Sequence, residues 1–438
     1  MKNNFKKAGK LLWAEWDINL DEVPLEHLDY YIAVENYLTE EDKLPPDAPP
    51  IEQVSSYLES LYHLCQLQVG ERIKSVLILP ISINPQPEIF SLPLYEYLIF
   101  KNLERNLLKV IHCVLSSLKY TKDDVSFFIL LKARTLSSIR DTGTAEEACN
   151  IFREIRLHLQ NNVETYIEAT AYLGIRQVYS GIYKEGISNC QEAMTMINNL
   201  IKTSGQTNLN WKMWEIKSDI LEVFAFYEMN LGRFQKANHL YKEIIDLRKQ
   251  IGTYHKLISP LVHQGIVMRK MKKYNEAIEY LTEAKNQDNK TGNKNYPTWI
   301  NHHLAYVHLN QGNLPIAEEL CKSSLKEYKK LENQEGISDC YEQLGLIHLA
   351  KNEWDNAEKN FKIALDIRES IGNRHGKASA LLDLALASYH KKWYFKSIIF
   401  VIKGLVLYYK IGILNRIRLS RMLRLVYVWT VGKRNWTM

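Results

Sequence analysis

The chain has 438 residues, 46% hydrophobic and 24% charged, which is more than one globular core normally takes and calls for several domains or an extended repeat array. Its formal charge of +6 is uneven: eleven Lys and Arg and no Asp or Glu fall in residues 391–438, leaving 45 basic against 50 acidic residues before them. Six cysteines (Cys65, Cys113, Cys149, Cys190, Cys321, Cys340) are placed singly with no CxxC pair, which argues against a disulfide framework or zinc site and for a reducing compartment such as the cytoplasm.

Residues 1–50 open with MKNNFKKAGKLLWAEWD, where Glu15 and Asp17 interrupt the sequence before a long apolar run develops. That is a poor secretory signal, and the chain has no stretch of about 18 uncharged apolar residues, so neither export nor a membrane span is expected. KLPPDAPP, residues 43–50, reads as a stiff extended linker after an N-terminal helical segment. Over residues 51–164, SSYLESLYHLCQL and YLIFKNLERNLLKVIHCVLSSL carry helical periodicity and read as degenerate hairpins, with a weaker repeat centred on Ala148 and Phe152.

Residues 165–412 repeat. Gly174, Tyr183, Gly186 and Ala193 mark a first unit, followed by an insertion near TSGQTNLNWKM. Five units then keep a forty-residue register without a gap. The small residue of the first helix is Ala225, Gly265, Ala305, Gly345 and Ala385, and that of the second is Ala237, Ala277, Ala317, Ala357 and Ser397. Three residues before the latter stand Phe234, Tyr274, Leu314, Trp354 and Tyr394. Two helices approach closely only where a side chain is small, and the bulky column fills the adjoining gap. Pro315 suits a second-helix start, Ser259-Pro260 a first-helix start, and Asp355 with Glu358 a capping box. Gly252, Gly292, Gly372 and Gly412 suit left-handed residues that end second helices. The residues added to reach forty are expected to lengthen the second helix by about a turn.

The columns, and LG at 344–345 with Ala357, Phe361 and Ala364, resemble tetratricopeptide repeats of the forty-residue kind found in kinesin light chains and bacterial regulators. The whole chain is also similar to the sensor halves of bacterial and cyanobacterial signal-transducing NTPases with many domains. Those proteins carry a phosphate-binding loop, and no GxxxxGK[ST] occurs in this sequence, so nucleotide hydrolysis is not implied. The fold implied is an all-α, right-handed solenoid of antiparallel helical hairpins whose concave groove holds a protein or peptide. Without a cofactor, a metal site, a nucleophile elbow or HExxH, the chain reads as a non-catalytic scaffold or sensor module. A regulatory sensor for a small ligand or nucleic acid is the alternative.

Counting three before, one after and four after each small first-helix residue gives the groove-facing positions. They include Glu222, Phe226, Arg269, His302, Tyr306, Glu342 and Tyr389. Apolar and aromatic residues alternate there with single charges, which suits a peptide or helix laid along the groove. Packing against neighbouring helices is the competing role for about half of them. The Lys/Asn clamp by which some relatives grip a carboxylate does not match, because Glu222, His302 and Glu342 stand in its columns. His308 and His348 read as packing residues, and Glu318-Glu319 and Asp141 as solvated faces. The tail, residues 413–438, interleaves apolar residues with Arg416, Arg418, Arg421, Arg424 and Trp429. It reads as a cap that docks on another subunit or an acidic partner, with nucleic acid less favoured.

Overall fold

The computed structural model describes residues 4–40, 48–82, 91–116, 122–139, 142–158, 162–204, 211–291 and 296–410. These hold 21 α-helices and a two-stranded antiparallel ladder, an all-α array of helical hairpins. None of the described helices is long and apolar enough to cross a membrane. The chain divides into two compact units: Met1–Phe224 with Asp246–His255 and Lys290–Asn293, and Ala225–Ile245 with Lys256–Asn289 and Lys294–Met438.

The first unit begins with α1 (Asn4–Glu15), α2 (Leu25–Thr39), α3 (Pro50–Gln53), α4 (Ser55–Leu67) and α5 (Gly70–Leu77). The strands β1 (Pro80–Ser82) and β2 (Ser91–Pro93) follow, then α6 (Leu94–Phe100), α7 (Glu104–Leu115) and α8 (Lys122–Ser138). Helical spacing builds one core from them. Val34 and Leu38 of α2, Leu61 and Leu64 of α4, and Leu107, Ile111 and Val114 of α7 are fully buried together, and Leu12 of α1 joins them. The helices on either side of the proline-rich stretch therefore share a core. The ladder was not legible as strands. It pairs Ile81 with Leu92, and its end pair, Pro80 and Pro93, sits where no ladder N–H is needed.

The unit continues with α9 (Thr142–His158), α10 (Val163–Tyr179) and α11 (Tyr183–Ser204), and takes in parts of α12 (Trp211–Asn230) and α13 (Phe234–Gln250). At Gly174 a Cβ would lie 2.7 Å from the Gly186 carbonyl oxygen, so α10 and α11 cross where neither has a side chain.

The second unit holds the rest of α12 and α13 with α14 (Ile258–Lys270), α15 (Tyr274–Thr291), α16 (Pro297–Gln311), α17 (Leu314–Lys330), α18 (Gln334–Ala350), α19 (Trp354–Ser370), α20 (Arg374–His390) and α21 (Tyr394–Lys410). Phe234, Tyr274, Leu314, Trp354 and Tyr394 are the first residues of the five second helices. Ala225, Ala305, Ala385, Ala237, Ala277, Ala317 and Ala357 have no exposed surface, and a Cβ on Gly345 would meet the Phe361 ring at 2.4 Å.

The forty-residue period is divided in two ways: α15, with 18 residues, is longer than α14, with 13, as expected, whereas the last two hairpins differ from the expectation. α18, α19, α20 and α21 each have 17 residues and are separated by three-residue turns, so both helices of a hairpin are long. The capping box is also absent. The N-cap of α19 is Glu353, with no side-chain cap, while Asp355 and Glu358 receive Lys391 at 2.6 and 2.7 Å. Caps are instead Asn333 and Asn373, whose side chains accept from the backbone N–H of Gly336 and Gly376. Gly252 and Gly372 do take left-handed φ of 75° and 69°; Gly292 and Gly412 lie outside the described residues.

Candidate functional site

Ring contacts run along the second unit, between half-buried side chains and the buried Tyr241 and His302. His263 of α14 stacks on Tyr241 of α13, with centroids 5.6 Å apart and planes 8° apart. Phe226 of α12 and Trp299 of α16 meet the same imidazole edge-on at 5.9 and 5.4 Å. Trp299 contacts His303 one turn on, at 5.4 Å, and His303 lies beside His302, which meets Tyr306 at 5.1 Å. The chain of contacts ends where the Arg269 guanidinium sits 4.9 Å from the Tyr306 ring centroid. Nη1 of Arg269 donates to Asn310 Oδ1 at 3.1 Å, which fixes the guanidinium over the ring.

Burial and the neighbouring His302, Arg269 and His263 hold the His303 imidazole well below its usual range. Burial, reinforced by Glu342 and Asp339, pushes the Tyr306 phenol well above its own. Near neutral pH those two groups are uncharged, so the strip presents aromatic surface with Arg269 supplying a positive charge.

Beside it lies a buried ionic triad, whose pattern recurs once in the first unit. Nη2 of the buried Arg368 donates to Asp339 Oδ1 at 2.7 Å and to Glu342, and Nη1 donates to the Gly376 carbonyl at 3.2 Å. In the first unit Arg248, only 2% exposed, donates to Asp219 at 2.8 Å and pairs with Glu222 at 2.7 Å. The residues of the two triads stand 120 apart, three full periods. Here the arginine arises from the second helix and both acids from the first, so each triad clamps a hairpin.

The expected groove residues divide accordingly. Phe226, Arg269, His302 and Tyr306 come together on the strip. Glu342 is next to it but engaged by Arg368. Glu222 is 7% exposed and engaged by Arg248, and Tyr389 lies elsewhere, edge-on to Tyr394 at 5.6 Å. Sequence reasoning missed Tyr241, His263, Trp299, His303 and both arginines. A signal existed, since His263 and His303 share a column two before the small residue, and Asp219, Glu222 and Arg248 recur as Asp339, Glu342 and Arg368.

Other expectations also meet their neighbours. Glu318 is not a solvated face residue: hydrogen bonds from Lys322 and Lys351 hold its carboxyl down at about 2. His348 bonds Glu353 at 2.6 Å, and burial lowers the His308 imidazole. Asp141 and the tail residues Arg416, Arg418, Arg421, Arg424 and Trp429 lie outside the described residues. Among the described residues, Glu96, Glu215 and His255 have ligand-capable atoms within 4.8 Å of one another. Arg134 donates to Glu96 at 3.3 Å, so a guanidinium already supplies positive charge on that side.

Residues 297–370 match the family described as tetratricopeptide repeat, and the hairpin array is of that kind. The fold is similar to that of the Signal Transduction ATPase with Numerous Domains (STAND) protein with a tetratricopeptide repeat sensor from Pyrococcus horikoshii. The TM-score is 0.56 at 14% identity, over 89% of this chain and 54% of that one, so this chain spans about half that protein's length. It is also similar to aspartyl phosphate phosphatase F from Bacillus subtilis, with TM-score 0.50, 13% identity, and 92% and 94% coverage. A Rap protein complexed with competence and sporulation factor gives 0.52 at 13% identity, over 82% and 99%. At such identities the likeness is one of fold. A sequence search of the curated proteins gives no match.

Proposed function

We propose that this chain is a non-catalytic sensor or scaffold module, working in a bacterial cytoplasm, that holds a peptide or a peptide-like segment of a protein. The strip formed by Phe226, Tyr241, His263, Trp299, Tyr306 and Arg269 carries this reading. Its half-buried rings Phe226, His263, Trp299 and Tyr306, backed by the fully buried Tyr241, suit apolar side chains of an extended ligand, and the guanidinium over Tyr306 offers a partner for a carboxylate. Support also comes from the similar fold of a Rap protein whose structure contains competence and sporulation factor. The six cysteines are all free thiols, in keeping with a reducing compartment.

The Arg368 triad borders this surface within the second unit, and engagement by Arg248 and Arg368 leaves Glu222 and Glu342 little capacity to meet a ligand. Contact is therefore assigned to Phe226, Trp299, Tyr306 and Arg269, with His302 as support.

The test is affinity capture on the full chain from its native host, with mass spectrometry of retained peptides and proteins, run beside Tyr306→Ala and Arg269→Glu. Both variants are expected to lose the partner retained by the parent while their thermal melts stay close to the parent's. A partner bound equally by parent and variants would place the site elsewhere. Retention of a small metabolite or nucleic acid in place of a polypeptide would favour the ligand-sensor alternative.

A further inference from the structure

The second helices of the array turn one column of side chains outward. In α19 it is Asp355, Lys359, Lys362, Asp366 and Glu369, all exposed and all charged. The same column is exposed and free of large apolar residues in α13, α15 and α17, apart from Pro315. In α21 it is Phe395, Ile399, Ile402, Val406 and Tyr409, exposed by 37% to 79%. A charged outer face has been replaced position by position with an apolar one. Continuing the array past Lys410 does not cover it, because α19 has α20 after it and keeps this column exposed.

The apolar content of this column and the charge beside it limit what would cover it. The intervals between those residues are 4, 3, 4 and 3, as in the charged column of α19, and an apolar column of that period is one on which another helix can lie. One flank of the seam is Lys396, Lys403 and Lys410, each seven residues from the next, and the other flank carries Ile398 and Leu405. No acid occurs between residues 391 and 410. Lys396 is held by Glu358 at 2.9 Å, while Lys403 and Lys410 are exposed. Two copies of α21 paired antiparallel would set lysine flank against lysine flank. Paired in parallel, each lysine flank would face Ile398 and Leu405.

We propose that the outer face of α21 docks an amphipathic helix from a different protein, one with an apolar 4-3 seam and an acidic residue every seventh position along one edge. This surface is separate from the aromatic strip and supplies a second contact, through which occupancy of the strip could be passed to an effector.

The probe is a synthetic four-heptad peptide with Leu on its seam and Glu on both edges, compared with its counterpart carrying Lys on the edges. Binding to the full chain is read by fluorescence anisotropy at low salt. The Glu peptide is expected to bind at least tenfold more tightly than the Lys peptide. Ile402→Glu and Tyr409→Glu should each weaken it by a further tenfold or more, with unchanged melting because both side chains are exposed. Lys403→Glu with Lys410→Glu should reverse the preference between peptides. Equal binding of the two peptides, or indifference to both seam variants, would overturn the proposal. So would sedimentation showing a self-dimer that Ile402→Glu dissociates, or phosphatidylglycerol vesicles that bind the parent, but not Ile402→Glu, while neither peptide binds.

Discussion

Residues 48–116 and residues 334–410 are both helical and both well packed, yet they are held together differently. The first stretch uses helices of 4, 13, 8, 7 and 12 residues, a strand ladder and one core in which α4, α5 and α7 converge with the preceding α2. The second uses four helices of 17 residues, identical turn lengths, and small separate clusters shared by neighbours. A repeat whose residues contact only their neighbours distributes its stability along the chain, whereas a single core stands or falls together.

Truncating one large core side chain in each region sharpens that contrast most. Phe361→Ala is expected to cost about 3–5 kcal/mol, and Leu61→Ala about 2–5 kcal/mol. Hydrogen exchange should show the first loosening α18 and α19 with much less effect on α14, and the second loosening α2, α4 and α7 at once. Equal spread of the two effects would break the comparison.

Arg248→Ala is expected to cost about 3 kcal/mol by denaturant unfolding, because it leaves Asp219 and Glu222 without their guanidinium in a nearly dry site. Replacing Arg248 and both acids together by apolar residues of similar volume should recover much of it. Ala357→Leu should overpack the α18–α19 hairpin by about 1–3 kcal/mol. A thermal melt unchanged by that substitution would contradict the packing columns.

Acid should act on the array through Glu358. Burial alone would raise its carboxyl, but hydrogen bonds from Lys391, Lys396 and Lys362 outweigh this and hold it at about 2, below its ordinary 4.5. A depressed carboxyl stabilises the folded state above its unfolded value, and that contribution fades as pH falls from about 4.5 toward 2. Glu358→Gln should therefore cost about 1 kcal/mol at neutral pH and little at pH about 2.

The smallest effect tests the turns. Gly232, Lys272, Gly312, Asn352 and Lys392 occupy one column and all have left-handed φ, between 62° and 83°. Glycine is suited to that conformation and lysine is strained by it, so Lys272→Gly and Lys392→Gly should each raise stability, by up to about 1 kcal/mol. Gly312→Lys should lower it by a similar amount.

The sequence alone determined the array, because a forty-residue repeat forces small side chains at each helix crossing, and such columns are visible without coordinates. Ala317, Ala357 and the bulky starts at Trp354 and Tyr394 were legible for that reason. It also brought four strip residues, Phe226, Arg269, His302 and Tyr306, into view by register. Register states which face of a helix a residue takes, but not which side chains meet across helices. Only the tertiary structure set His263 between Tyr241, Phe226 and Trp299, since those contacts join residues from four helices. Only it showed Glu222 and Glu342 to be engaged by arginines, because a carboxylate's partner depends on distance rather than on column. The β-ladder at Ile81 and Leu92, and the left-handed lysines at 272 and 392, were likewise decided by packing. In each the local preference of the residues is weak, and closure of the surrounding helices selects the backbone that the residues then accept.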